Sequence, residues 1–141
     1  MLNRTKESIT TSIQFINPSQ LYNPSVNAYS HVTVVSNKQR IIHISGQGGE
    51  NIKGMLSSNF EDQLTQCFSN IQSALASVEA DLINIAVLRV LIVKHNKEKH
   101  ELLIKHMSKL WKDISFPACT LIPVDQLALP NMQIEIEATA Y

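Results

Sequence analysis

The segment SFPACTLIPV, residues 115–124, has the branched apolar residues of a strand, yet it sets a cysteine between Pro-Ala and Thr. The thiol of Cys119 is either a small packing residue or a nucleophile, and the second role requires a nearby cation or base that lowers its pKa. No histidine is adjacent; His43, on a segment that reads as a strand, is the one able to approach across a sheet. Cys67 falls on an apolar helical stripe and reads as a buried small side chain. The two cysteines have no short metal-ligand spacing, and His95, His100 and His106 lack a shared i,i+4 geometry, so neither a metal nor another cofactor is expected. Among the remaining charges, Arg89 interrupts the apolar run AVLRVLIV, while Glu135 and Glu137 alternate with isoleucines in IEIEA.

These groups need elements to hold them. Phe60, Leu64, Cys67, Ile71, Leu75 and Val78 recur at spacings of three and four, which predicts an amphipathic helix with Asp62, Gln63, Gln66, Gln72 and Glu79 largely off its stripe. Ser58 and Glu61 have capping-box spacing and supply its start. Asn96 caps a second helix running to about Trp111, with Leu103, Met107 and Leu110 facing inward. Strands are predicted within SIQFIN, HVTVVS, RIIHISG, DLINIAVLRVLIV, FPACTLIPV and MQIEIEATAY, with HVTVVS and RIIHISG forming a hairpin that has Asn37 at its turn. PSQLYNPSVNAYS, rich in turn residues, reads as a long loop. All four glycines fall between Gly46 and Gly54, which predicts close backbone approach or positive φ there.

In the last strand Ile134, Ile136 and Ala138 alternate with Glu135, Glu137 and Thr139, so the isoleucine face meets the helices and the carboxylates point away. Arg89 faces opposite to Leu88 and Val90 and shares the carboxylate side, where it either attracts an anionic ligand or pairs with a carboxylate. Two helices can cover one face of a single sheet. The apolar residues on the other face must then be buried by further subunits or by a ligand.

The 141 residues suffice for a single domain, 1–141, with the polar residues 1–10 as a flexible N-terminal extension. A formal net charge of zero argues against a protein that grips phosphates. The six lysines from Lys94 to Lys112 face Glu98, Glu101 and Asp113 and read as a solvated helix face, so no nucleic-acid partner is expected. No stretch has the continuous apolarity of a bilayer span or a signal peptide; no membrane partner and a cytoplasmic location are expected.

Through NAYSHVTVVSNKQRIIHISGQGG, the helix from Asn59, VLRVLIVK, FPACTLIPVDQLALP and QIEIEATA, taken in that order, the chain resembles the Rid, or YjgF-type, family of imine and enamine deaminases over about Tyr29 to Ala140. The resemblance implies an α/β (α+β) fold, a chorismate-mutase-like single domain with a mixed β-sheet and two helices on one face. It also implies a homotrimer that closes its sheets into a central barrel, with a small-molecule ligand in the clefts between subunits. Active members of the family carry an arginine directly after FPA that clamps the carboxylate of a 2-imino acid, and a glutamate on the last strand that positions the attacking water. By motif position the glutamate is Glu135, the substrate-side tyrosine is Tyr29, and the SGQ serine and its loop are Ser45, Gln47 and Gly48. The arginine position is Cys119.

That exchange replaces a permanently charged planar fork by a small thiol, and losing such a charged pair costs roughly 2 to 5 kcal/mol of binding. The resemblance therefore implies hydrolysis of reactive imines or enamines to carbonyl compounds and ammonia, reduced or altered in this chain. Glu135 and Tyr29 are its catalytic candidates; Ser45, Gln47, Gly48, Cys119 and Arg89 are its substrate-facing ones, with Cys119 expected in the cleft near Glu135. Several alternatives remain. Glu135 is the base for water or only an ion-pair partner of Arg89. Cys119 is a vacated position, a packing residue or a nucleophile. The assembly is catalytic or a metabolite-binding, regulatory trimer. An RNA-related activity, also ascribed to the family, finds no support in the neutral charge or in any basic-aromatic platform.

Overall fold

The structure, a computed structural model, describes residues 12–37 and 39–141; the expected flexible extension at 1–10 lies outside them. The strands are β1 (Ser12–Ile16), β2 (Val32–Ser36), β3 (Ile42–Gln47), β4 (Ile85–Val93), β5 (Ala118–Val124) and β6 (Ile134–Ala140), and the helices are α1 (Phe60–Ala76) and α2 (Lys97–Leu110). Alternation along β6 organises them. Ile134, Ile136, Ala138 and Ala140 are buried while Glu135, Glu137 and Thr139 are half-buried, so one face of this strand is core and the other carries the carboxylates.

The main sheet has the order β3-β6-β4-β5, with β6 antiparallel to both β3 and β4, and β4 parallel to β5. Leu88, Val90 and Ile92 of β4 join the β6 isoleucines in one continuous core with Phe60, Leu64, Ile71 and Leu75 of α1 and Leu103 and Met107 of α2. Both helices therefore cover the same face. Phe68 and Trp111 lock them together edge to face, with ring centroids 5.9 Å apart. The other face bears Val87, Arg89 and Leu91, and Val87 is 40% exposed.

Of the expected α/β (α+β), chorismate-mutase-like architecture, the mixed sheet with two helices on one face is present, and the class is corrected to α+β without the chorismate-mutase likeness. Among the strand pairs only β4 and β5 are parallel, joined by the single crossover through α2, and every other strand pair is antiparallel, so the repeated strand-helix-strand units of an α/β protein are absent among the described residues. The predicted hairpin between HVTVVS and RIIHISG is also corrected. β2 pairs with β1 in a separate two-stranded ribbon, and β3 pairs with β6. The reason lies just before β2: the Ser30 amide donates to Pro117 O at 2.9 Å and Ser30 bridges Ala118, which fastens the start of β2 to the β5 edge, opposite the edge formed by β3. Asn37 does take the positive φ of a turn residue, at 53°.

Two details of α1 differ from the sequence pattern. Its cap is Asn59, whose side chain accepts from the Asp62 amide at 3.1 Å; the carbonyl of Ser58, the expected cap, is engaged by the Gln133 side chain at 2.9 Å. Gln63, off the apolar stripe in sequence, is fully buried. Its Nε2 donates to Ser57 O at 2.7 Å and Asn131 O at 2.9 Å, and its Oε1 accepts from the Gln133 amide at 2.9 Å. A buried carboxamide is tolerated when it satisfies backbone groups that lack partners of their own. Gln63→Leu removes all three bonds and leaves three partly buried backbone groups without this partner, which is expected to destabilise the protein by about 2 kcal/mol. Urea unfolding measures this directly; a loss below about 1 kcal/mol would show that water replaces the carboxamide without penalty.

Candidate functional site

Glu135 is placed by the register between β3 and β6. That pairing shifts between Ile44 and Gln47, and the irregularity presents the backbone of Gly46 to the carboxylate of Glu135. A Cβ at Gly46 would overlap the side chain of Glu135, so a larger residue here would displace the carboxylate from its present position. Beyond it the loop turns against α1: a Cβ at Gly49 would meet Cα of Gln63 at 2.7 Å, and Asn70 Nδ2 donates to Gly48 O at 3.1 Å and Glu50 O at 2.9 Å. Ser45 is exposed, and its carbonyl accepts from Gln47 Nε2 at 3.0 Å. Burial raises the pKa of Glu135, and the neighbouring carboxylates of Glu137 and Glu50 raise it further. A carboxylate so placed holds a proton more readily than an ordinary glutamate and can take one from water and return it.

Tyr29 and Cys119 form a second group. Asn23 caps a 3-10 turn at Pro24–Asn27, accepting from the Ser25 amide, and Ala28 ends the turn in the left-handed region. This folds the proline-rich loop so that the hydroxyls of Tyr22 and Tyr29 hydrogen-bond, and both rings stack edge-on with His31. Burial, then the Tyr22 hydroxyl, then Cys119, push the Tyr29 phenol up to about 12. It stays protonated near neutral pH, a donor and not a base. Burial alone pushes the Cys119 thiol up to about 12. His43 does not approach it: His43 pairs with Thr139 on β6, across the sheet from the β5 edge.

A single chain does not bring Cys119 and Glu135 together. Cys119 sits opposite Leu88, which is opposite Ala138, on the face that carries the helices; Glu135 sits opposite Leu91, which is opposite Ile122, on the other face. They are three residues and two strands apart, about 14 Å by strand spacing and rise. Arg89 shares the face of Glu135 but is directly opposite Glu137 and pairs with it, Nη1 to Oε2, at 2.9 Å. Sequence reasoning overlooked Glu50, Tyr22 and His31. The signal for Glu50 was the glycine cluster beside it; for the aromatic pair it was Asn23-Pro24, a cap followed by the residue favoured in a first helical turn. Among the described residues no group of histidines, cysteines and carboxylates could hold a metal, and no helix is long and apolar enough to cross a membrane.

The model of the family described as Endoribonuclease L-PSP matches residues 21–141. No curated protein sequence matches the chain. Among solved structures, YyfB of Yersinia pestis, a protein of unknown function of the conserved Rid protein family, is 28% identical and superposes with a TM-score of 0.86 over 91% of this chain and 97% of its own. TdcF of E. coli with bound serine is 20% identical, with a TM-score of 0.63 over 72% and 80% of the two chains. The E. coli YjgF gene product is 22% identical, with a TM-score of 0.59 over 71% and 79%. These likenesses agree with the expected mixed sheet and two helices and give the chain the fold of the Rid/YjgF structures, which corrects its description as chorismate-mutase-like.

Two outcomes follow from the raised pKa values. Because the folded state binds the Glu135 proton more tightly than the unfolded chain, the stability it contributes is complete below the ordinary glutamate range and is lost as pH rises through the folded pKa. Glu135→Gln keeps the protonated shape, so thermal unfolding is expected to show the variant more stable than wild type at about pH 8, with the gap closing at about pH 3.5. A variant less stable at about pH 8 would show that the carboxylate is favourably paired. For the thiols, Cys67 is also pushed up to about 12, by burial first and then by Glu50 and Glu135. Both cysteines should react with iodoacetamide more than about tenfold slower than free cysteine at neutral pH and equalise with it in urea. Rapid labelling of folded Cys119 would restore the nucleophile reading.

Proposed function

Because the chain belongs to the Rid/YjgF family, the family described as Endoribonuclease L-PSP, we propose that it disposes of a reactive imine or enamine by adding water across the C=N bond and releasing ammonia. The family is associated with the handling of reactive small molecules. The observation that carries the reading is the Glu135 carboxylate lying on Gly46 with its pKa raised. Glu135 takes a proton from water as the oxygen bonds to the imine carbon, and the C=N electron pair moves to nitrogen. Glu135 returns that proton to the nitrogen of the carbinolamine and then takes the hydroxyl proton as the C=O forms and the C–N bond breaks, so the products are a carbonyl compound and ammonia.

Charge points to the substrate. Glu135 and Glu50 face one region, Arg89 is engaged by Glu137, and Cys119 is a neutral thiol. Such a site favours a protonated imine without a carboxylate over a 2-imino acid. Since Cys119 lies on a different face from Glu135, a ligand touching both residues spans two chains, which supports a homotrimer with the site in its clefts. A second reading, a metabolite-binding trimer without turnover, is favoured by the engagement of Arg89; TdcF is a protein of this fold solved with serine bound.

Ammonia release from freshly generated imines with and without a carboxylate separates these readings. Turnover of the carboxylate-free imine is expected to exceed that of 2-iminopropanoate, and Glu135→Ala is expected to lower it by about 100-fold or more. Equal or better turnover of 2-iminopropanoate would overturn the assignment of substrate. Saturable binding of both imines without ammonia release would leave the non-catalytic reading.

A further inference from the structure

The lysines between Lys94 and Lys112 include two that do not serve a solvated helix face. Lys94 and Lys99 line a cleft of about 630 Å³, within the range of small-molecule sites, between the turn from β4 to α2 and the loop 125–133. Lys94 holds a left-handed backbone, φ 50°, where asparagine or glycine would be less strained. Lys99 donates Nζ–H to Val93 O at 2.6 Å and lies 5.0 Å from the centre of the Phe60 ring, which leaves further ammonium hydrogens for a ligand.

Neither lysine is in an ion pair among the described residues, and neither is the one carboxylate of the lining, Asp125. Burial lowers the pKa of Lys99, and the charge of Lys94 lowers it further, so two ammonium groups repel each other with no anion between them. Leu127, Leu129 and Met132 supply apolar wall. Two cations against one carboxylate leave a single surplus positive charge, suited to a monoanion. We propose that this cleft is a binding site for a small organic carboxylate with an apolar body, held by Lys94 and Lys99. It stands apart from the imine reading: Gln133 reaches it but Glu135 does not, and it lies at the far end of β5 from Cys119.

The test is a titration of the isotopically labelled full chain with hexanoate, followed by amide NMR, with inorganic phosphate and hexylamine as separate arms. Hexanoate is expected to move the amides of residues 125–133 saturably, while hexylamine leaves them unmoved. Lys94→Asn, which tolerates the left-handed backbone, and Lys99→Gln are each expected to weaken hexanoate binding about tenfold. The melting temperature without ligand reports whether either variant is merely misfolded, and loss of binding in a variant that melts as wild type supports the clamp. Phosphate binding as tight as hexanoate would overturn the carboxylate class. Absent or non-saturable hexanoate shifts in wild type, or equal binding by both variants, would overturn the site.

Discussion

Three hydrogen bonds from one buried carboxamide hold the working end of the molecule in place. Gln63 emerges from the first turn of α1 and ties together the loop before that helix, the loop ending at Asn131 and the entry into β6 at Gln133. Gly49 packs on its Cα, so the glycine loop is referred to the same point. Both candidate sites inherit their geometry from this arrangement. Glu135 follows two residues after Gln133, and the lysine cleft is walled by Ser58, Asn131 and Gln133. Polar groups so buried must all be matched, which makes the junction specific as well as stabilising.

The face away from the helices carries an unusual distribution of charge. Arg89 and Glu137 are direct cross-strand neighbours and neutralise each other at a half-exposed position, where such a pair adds little stability. Its effect is electrostatic: the guanidinium is occupied by Glu137, and the carboxylates of Glu137 and Glu50 both act on Glu135. Burial and like charge then favour the protonated form of Glu135, the state from which it can donate. The neutral thiol of Cys119 and the engagement of Arg89 act in the same direction. Neither offers a free positive charge to a carboxylate.

The separation of Cys119 from Glu135 is a consequence of parity. An odd offset along paired strands always puts two side chains on opposite faces, and the offset here is three. The burial face of β6 could be read from alternation alone, as could the caps and inward row of α2, because local periodicity and a capping side chain act within a few residues. The pairing of Arg89 with Glu137, and not with Glu135, required the register. The register depends on contacts between strands about fifty residues apart.

What this sequence determined by itself was whatever short-range physics decides: the two helices and six strands, the carboxylate face of β6, the close approach of backbone at the glycines, and a family likeness carried by ordered motifs from about Tyr29 to Ala140, within the residues 21–141 that the family's model matches. Tertiary structure alone decided the partner of β2, the burial of Gln63, the edge-on cluster of Tyr22, Tyr29 and His31, and the convergence of Lys94 and Lys99 on one cleft. An apolar stripe scores Gln63 as a surface residue because its value comes from carbonyls and an amide supplied by distant loops. HVTVVS and RIIHISG look like a hairpin because a sequence shows the turn between them, while the Ser30 bond to Pro117 that draws them to opposite edges joins segments far apart in the chain.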